Sequence, residues 1–137
     1  MQISLRSPTG IAMPQVTIEL LYELVFQRGP EYWNAPNGSG DVCIHAKNSE
    51  EHIMSLILKE PLGFVIQHRV INEDPYVAVT SMDFSRTAEV VVGGEAWTIP
   101  KSFLIPKHRT WEAVKEFVNS GKRSKDLEWI ERLRHWG

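Results

Sequence analysis

The chain is poor in cysteine and contains no long apolar run. Its 137 residues include one cysteine, Cys43, which excludes an internal disulfide and suggests a reducing compartment. No stretch reaches the roughly 20 apolar residues that a membrane-spanning helix needs. The first residues, Met-Gln-Ile-Ser-Leu-Arg, lack the basic start and apolar segment of a secretory signal. We therefore expect one soluble domain, residues 1–137, in the cytoplasm.

Charge of either sign is not in large excess, but it is unevenly distributed. The 15 Lys and Arg oppose 17 Asp and Glu, for a net charge of -2, which argues against binding to nucleic acid or an anionic membrane through bulk charge. Residues 1–100 contain six Lys and Arg and 12 Asp and Glu, a net charge of -6. Residues 101–137 contain nine and five, a net charge of +4. An acidic body with a basic C-terminal segment is expected to steer encounters with charged partners.

Recognisable catalytic and cofactor motifs are missing. The glycines at 38–40 and 93–94 lack the lysine and helix start of a phosphate-binding loop. A single cysteine excludes the His-x-Glu and Pro-Cys-x-x-Cys zinc set of base deaminases. The paired helical histidines of zinc proteases are also missing. We therefore expect no metal and no cofactor.

Apolar periodicity predicts three helices. Residues 14–28 show the three-and-four spacing of an amphipathic helix that stops at Gly29-Pro30. Residues 48–59 begin with a pattern that resembles a capping box and predict a second helix. Thr110 as N-cap predicts a third helix over 111–119, with Gly121 as its C-terminal stop.

The remaining patterned segments predict strands. Residues 127–130 fit both a strand and a helix, so the pattern leaves them open. The predicted fold class is α+β: a mostly antiparallel sheet of about five strands with two to three helices packed on it. The predicted strands are residues 41–46, 64–70, 76–82, 88–92 and 97–99, with hairpin turns at 72–75 and 93–94.

Two groups of residues suggest chemistry or nucleic-acid binding. Cys43 and His45 lie two apart on a predicted strand, so both side chains are expected on one face. Thiolate and imidazole suit zinc or nucleophilic catalysis, which makes a small cytosolic enzyme one alternative. A nucleic-acid-binding module is another, based on the basic residues Lys122, Arg123, Lys125, Arg132 and Arg134. The more common outcomes are a packed strand pair and a solvated helix end.

The C-terminal third carries a more specific pattern. Ser102-Phe-Leu-Ile-Pro106 precedes a predicted helix with Ala113 and Phe117, and then come Asn119-Ser-Gly-Lys-Arg123 and Leu127-Glu-Trp129. This order resembles the DddI-like immunity proteins, the first-numbered immunity family of bacterial polymorphic toxin systems. The resemblance covers residues 102–129, and Ser124 stands where the family pattern has proline.

The resemblance implies a non-enzymatic protein that binds and neutralises a cognate toxin domain in the cytoplasm of the producing bacterium. Toxins paired with this family are often deaminases that act on nucleic-acid bases, so no direct contact with nucleic acid or membrane is implied for this chain. It also favours a strand at 127–130. The motif residues are implied to be structural: Pro106, Ala113, Phe117, Gly121 and Trp129.

Five tryptophans are many for a chain of this length. We expect Trp97, Trp111 and Trp129 in the core, because they lie within patterned segments. Tyr32 and Trp33 precede a glycine-rich loop, where aromatic side chains are good anchors for a partner, although packing over the sheet is the slightly favoured role.

A toxin that handles nucleic acid presents a cationic cleft. An acidic body can occupy such a cleft by imitating phosphate charge, and variable loops on a constant frame would give specificity for one partner. The candidate contacts with the toxin are the acidic and aromatic residues of segments expected to be exposed: Glu31, Tyr32, Trp33, Asp41, Glu73, Asp74 and Asp83.

Overall fold

A computed structural model describes residues 1–132 of the chain. It contains three α-helices, α1 (Ile18–Phe26), α2 (Pro30–Trp33) and α3 (Lys107–Ser120), and one 3-10 turn at Lys101–Phe103. The strands are β1 (Gln2–Arg6), β2 (Ala12–Met13), β3 (Val42–Lys47), β4 (Glu51–Lys59), β5 (Gly63–Val70), β6 (Tyr76–Val79), β7 (Thr87–Val92), β8 (Glu95–Pro100), β9 (Leu104–Ile105) and β10 (Glu128–Glu131).

Eight of these strands form one sheet in the order β10-β6-β5-β4-β3-β1-β2, with β9 beside the first residues of β5. Every pairing is antiparallel, which confirms the α+β class and the mostly antiparallel sheet. The predicted number of about five strands is wrong. The pattern missed the short strands β1, β2 and β9, and it assigned β4 to a helix.

The helices cover one face of the sheet. Leu21, Leu24 and Val25 of α1 are buried in the same cluster as Ala113 and Phe117 of α3. Alternate residues of the central strands complete this cluster, as expected when one face of a pleated sheet lies against helices. The strand residues concerned are Val42, Ile44, Ala46, Met54, Leu56, Leu58, Phe64 and Ile66.

A separate hairpin, β7–β8, covers half of the opposite face. Val90 and Ile99 of the hairpin are buried with Ile57, Val65 and Val77 of the sheet. The hairpin turns at Gly93-Gly94, where both residues have positive φ, as predicted from the sequence. The molecule therefore has three layers on the β5–β6 side of the sheet, and the β1–β3 side of this face is left open.

The predicted helix over residues 48–59 is instead a turn followed by β4. The side chain of Asn48 accepts the N–H of Glu50, so it forms the β3–β4 turn and not a helix cap. Met54 and Leu56 face the helices and Ile57 faces the hairpin, so β4 is apolar on both faces. A short apolar run buried on both sides cannot be distinguished from a helix by its period.

The predicted helix over 14–28 is present as α1, in a shorter form. Thr17 is its N-cap, because the Thr17 hydroxyl accepts the N–H of Leu20 at 3.2 Å. The predicted stop at Gly29-Pro30 is wrong, because α1 ends at Phe26 with Gln27 as its C-cap. Gly29 is instead the N-cap of the short α2, which Pro30 starts, since a proline is tolerated at the first position of a helix.

Helix α3 begins at Lys107, four residues before the predicted start. The prediction of Thr110 as N-cap is therefore wrong: Thr110 is buried within the helix and its hydroxyl donates to the carbonyl of Ile105 at 3.2 Å. The C-terminal prediction is confirmed, because Gly121 adopts the left-handed conformation, with φ of 75°, that ends a helix.

The motif residues of the C-terminal third lie in the helix cap, the core and the last strand of the fold. Pro106 caps α3, and Ala113 and Phe117 are fully buried. Trp129 lies on β10, so residues 128–131 form a strand, and its indole N–H donates to the carbonyl of Ser124 at 3.0 Å. No helix within residues 1–132 is long and apolar enough to cross a membrane.

Candidate functional site

Three aromatic side chains form a partly exposed cluster on the outer surface of the helices. The ring of Tyr22 on α1 lies 4.7 Å from that of Phe26 and 5.4 Å from that of Trp111 on α3. The Phe26 and Trp111 rings are 6.2 Å apart in an edge-to-face arrangement. Tyr22 is 44% exposed, and the other two are half-buried. Trp111, expected in the core, instead links the core to this surface.

Charged side chains also lie on the helices that carry this aromatic cluster. Lys115 lies over the Trp111 ring at 5.6 Å and also pairs with Glu112 at 3.0 Å. Arg28 pairs with Glu23 at 2.7 Å and lies 5.1 Å from the ring of Tyr32. The cations next to the aromatic rings are thus already neutralised. Three further carboxylates on the helices make no ion pair among residues 1–132: Glu19, Glu31 and Glu116.

The open face of the sheet carries a polar network around Asp41. The Asp41 carboxylate accepts from Ser55 at 3.2 Å and lies 3.6 Å from the Arg6 guanidinium. Arg6 also donates to the sulfur of Cys43 at 3.0 Å. Asp41, one of the predicted contacts with a toxin, is therefore engaged in an internal network that joins β1, β3 and β4.

Cys43 and His45 do lie on one face of β3, as their spacing predicts, but they form hydrogen bonds with different residues, Cys43 with Arg6 and His45 with Glu51. His45 Nδ1 is 3.1 Å from a carboxylate oxygen of Glu51. Burial raises the pKa of the Cys43 thiol, and the negative charge of Asp41 raises it further, against an opposing effect of Arg6. This environment disfavours the thiolate that a cysteine nucleophile needs.

A polar cleft of about 390 Å³ lies at the end of the sheet, beside the C-terminus of α3. The imidazoles of His52 and His68 form a hydrogen bond between His52 Nδ1 and His68 Nε2, 3.2 Å apart. The guanidinium of Arg123 lies 4.1 Å from the ring centroid of Tyr76. The cleft is lined by His52, His68, Arg69, Val70, Glu73, Asp74, Tyr76, Lys122 and Arg123.

Three cationic and two acidic side chains line this cleft. Burial, followed by the charge of Arg123, lowers the pKa of His68 to about 4, against an opposing backbone hydrogen bond at Gly121. His68 is therefore neutral at pH 7.

The predicted contact residues are not brought together. Trp33 is fully buried, with its ring 5.2 Å from that of Phe64, so it is a core residue and its interpretation as a contact is wrong. Tyr32 is half-buried and Glu31 is exposed on α2. Asp83 is exposed in a separate loop, where the N–H and hydroxyl of Ser85 donate to its carboxylate and lower its pKa.

Tyr22 is a surface residue that the sequence pattern did not reveal. Its position between Leu21 and Leu24 on α1 gave no signal of its own, because a single exposed aromatic on an amphipathic helix is common. The positively charged residues Lys122 and Arg123 were recognised, whereas their juxtaposition with Arg69 was not. Arg134, predicted with them, lies outside the described residues.

Within residues 1–132, no group of three or more His, Cys, Asp or Glu side chains is placed to hold a metal ion. No protein-family model and no curated protein matches this chain.

Proposed function

We propose that this protein is an immunity protein, a stoichiometric inhibitor that binds and neutralises a cognate bacterial toxin domain in the cytoplasm of the producing cell. The toxin proposed is a deaminase that acts on nucleic acid. The proposal combines the resemblance of residues 102–129 with one observation, the aromatic cluster of Tyr22, Phe26 and Trp111 on the helical surface.

The aromatic cluster has the character of a binding hot spot. Tyr and Trp supply large contact areas at low entropic cost, and they dominate the energetics of many interfaces. Tyr22 is held by two neighbouring rings, so little side-chain freedom remains to be lost on binding. The same side chain is 44% exposed, which leaves apolar area for a partner to cover.

The charges on the three helices favour a basic partner. Glu19, Glu31 and Glu116 have no ion pair among the described residues, whereas Arg28 and Lys115 are paired with carboxylates. A toxin domain that binds nucleic acid has a cationic surface, and complementary charge accelerates association with it. We therefore expect a basic partner to contact the aromatic rings together with the unpaired carboxylates of these helices.

The test uses the toxin domain encoded beside this chain. Purified toxin activity is measured against increasing amounts of this protein, and the dissociation constant is measured by calorimetry. We expect inhibition that saturates at one to one. The Tyr22→Ala variant is expected to weaken the complex by about 10-fold or more, the effect of losing one hot-spot side chain.

Ile11→Ala is the matched control. Ile11 is 60% exposed on the turn between β1 and β2 and belongs to none of the helices, so its truncation is expected to leave the affinity unchanged. The double variant Glu19→Gln, Glu31→Gln is expected to slow association and to reduce its dependence on salt. Full toxin activity at a large excess of this protein would refute the proposed function. Equal effects of Tyr22→Ala and Ile11→Ala would refute the proposed surface.

A further inference from the structure

We propose that the cleft lined by His52, His68, Tyr76 and Arg123 is a binding site for a phosphate dianion, either free phosphate or the phosphate of a small monoester. The cleft is about 390 Å³, a volume within the range of small-molecule sites. It lies at the far end of α3 from the aromatic cluster and plays no part in the proposed contact with a toxin.

Three cationic side chains line the cleft. Arg69 comes from β5, while Lys122 and Arg123 come from the loop after α3, so the positive groups converge on the cleft from two directions. None of the three makes an ion pair with a carboxylate in the part of the chain that is described. Their N–H groups are therefore free to bind an anion.

Arg123 is held in a fixed orientation by the ring of Tyr76. Its guanidinium lies 4.1 Å from the ring centroid of Tyr76, which is the distance of a stacked cation–π contact. Stacking uses the flat face of the guanidinium and leaves its in-plane N–H groups available for oxygen atoms. An arginine held in this way loses little entropy when it binds an oxyanion.

Cationic side chains outnumber acidic ones in the lining of the cleft, three against two. The charge of Arg123 reaches the cleft floor, because it contributes to the lowered pKa of His68. A bound anion would add negative charge where the cations converge. Three cations with imidazole nitrogens beside them offer more donors than the two oxygens of one carboxylate accept, so the tetrahedral phosphate is the better match.

Calorimetry and NMR titration of the full chain with inorganic phosphate and with adenosine monophosphate test the site, at pH 7.5 and a constant ionic strength of about 0.15 M. We expect dissociation constants below about 1 mM and shifted resonances for His52, His68 and Tyr76. If both ligands bind, free phosphate is sufficient to occupy the site. Binding of the monophosphate alone also supports the site and assigns the ester as its ligand.

The variants distinguish the cleft from general surface charge. Lys122→Gln and Arg123→Gln should each weaken binding by about 10-fold, the loss of a charge-assisted hydrogen bond. Lys125→Gln is the matched control, because Lys125 is exposed on the same loop and does not line the cleft. The double variant Glu73→Gln, Asp74→Asn should tighten binding, since it removes two like charges from the rim.

Lys122 is exposed, so its substitution tests the site even if Arg123→Gln disturbs the contact with Tyr76. Three results would overturn the proposal. The first is unchanged His52 and His68 resonances at about 10 mM of either ligand. The second is equal weakening by Lys125→Gln and Lys122→Gln. The third is tighter binding of a single-stranded oligonucleotide that lacks a terminal phosphate, which would assign the cations to a nucleic-acid backbone.

Discussion

Among the described glycines, Gly63 is the one at which an added Cβ would collide most severely with neighbouring backbone atoms. It begins β5 with φ of +130°, a conformation that residues with a Cβ rarely adopt. A Cβ added to Gly63 would overlap the carbonyl group of Ile105 in β9. Ile105 is fully buried and pairs with Phe64, so a Gly63→Ala substitution must displace β9 from its place beside β5.

The expected cost has two parts. Positive φ costs a residue with a Cβ about 1–2 kcal/mol. Moving β9 exposes part of Ile105, and full exposure of such a side chain costs about 1.5–3 kcal/mol. We therefore expect Gly63→Ala to lower the free energy of unfolding by about 3–4 kcal/mol, a large share of the stability of a typical domain.

Urea denaturation followed by tryptophan fluorescence measures this difference. Gly94→Ala is the control, because Gly94 has φ of +84° and an added Cβ would meet no atom within 4 Å, so it carries only the backbone cost. The two variants should differ by about 2 kcal/mol, or about 1 M in the urea midpoint. If Gly63→Ala is no less stable than Gly94→Ala, the placement of β9 against Gly63 is wrong.

Three further predictions concern single side chains. Trp33→Ala should cost about 3–5 kcal/mol in urea denaturation, as expected for a buried aromatic, whereas Tyr32→Ala should cost under about 1 kcal/mol. Burial is the main cause that lowers the pKa of His68 from 6.5 to about 4, so the unfolded chain binds one more proton than the folded chain between these pH values. The free energy of unfolding should therefore be highest above pH 6.5 and fall as the pH drops towards 4. The urea midpoints of His68→Phe should decline less over the same range. Asp41→Asn should lower the pKa of Cys43 and speed its alkylation by iodoacetamide at pH 8, and an unchanged rate would contradict the raising effect of that carboxylate.

Two of the elements that the sequence predicted correctly have a single buried face, whereas β5 is buried on both faces and was predicted from its strand-forming residues. β3 alternates buried Val42, Ile44 and Ala46 with half-buried residues, and α1 repeats its buried leucines at helical spacing. β4 failed because the helices and the β7–β8 hairpin bury both of its faces. The hairpin packs on β4 from 30 or so residues further along the chain, and a local pattern contains no information about such a neighbour.

The candidate surfaces were harder to predict for a related reason. The anion cleft takes its residues from β4, β5, β6 and the loop after α3, and only the sheet register brings these segments together. The basic pair Lys122-Arg123 was visible in the sequence, but its meaning depends on the neighbouring Arg69 and Tyr76. Trp33 shows the converse: an aromatic in a loop-like segment is buried because a short helix carries it into the core.

The two proposed surfaces lie near opposite ends of helix α3, so a ligand on one does not block the other. Trp111 lies in the second turn of this helix and Gly121 is its C-terminal cap, so their spacing of ten residues separates the surfaces by about 15 Å at the rise of an α-helix. The buried face of α3, with Ala113 and Phe117, holds both ends against the same sheet. A phosphate in the cleft should therefore leave the affinity for a toxin domain unchanged. A measured coupling between the two ligands would mean that the helix itself moves when one of them binds.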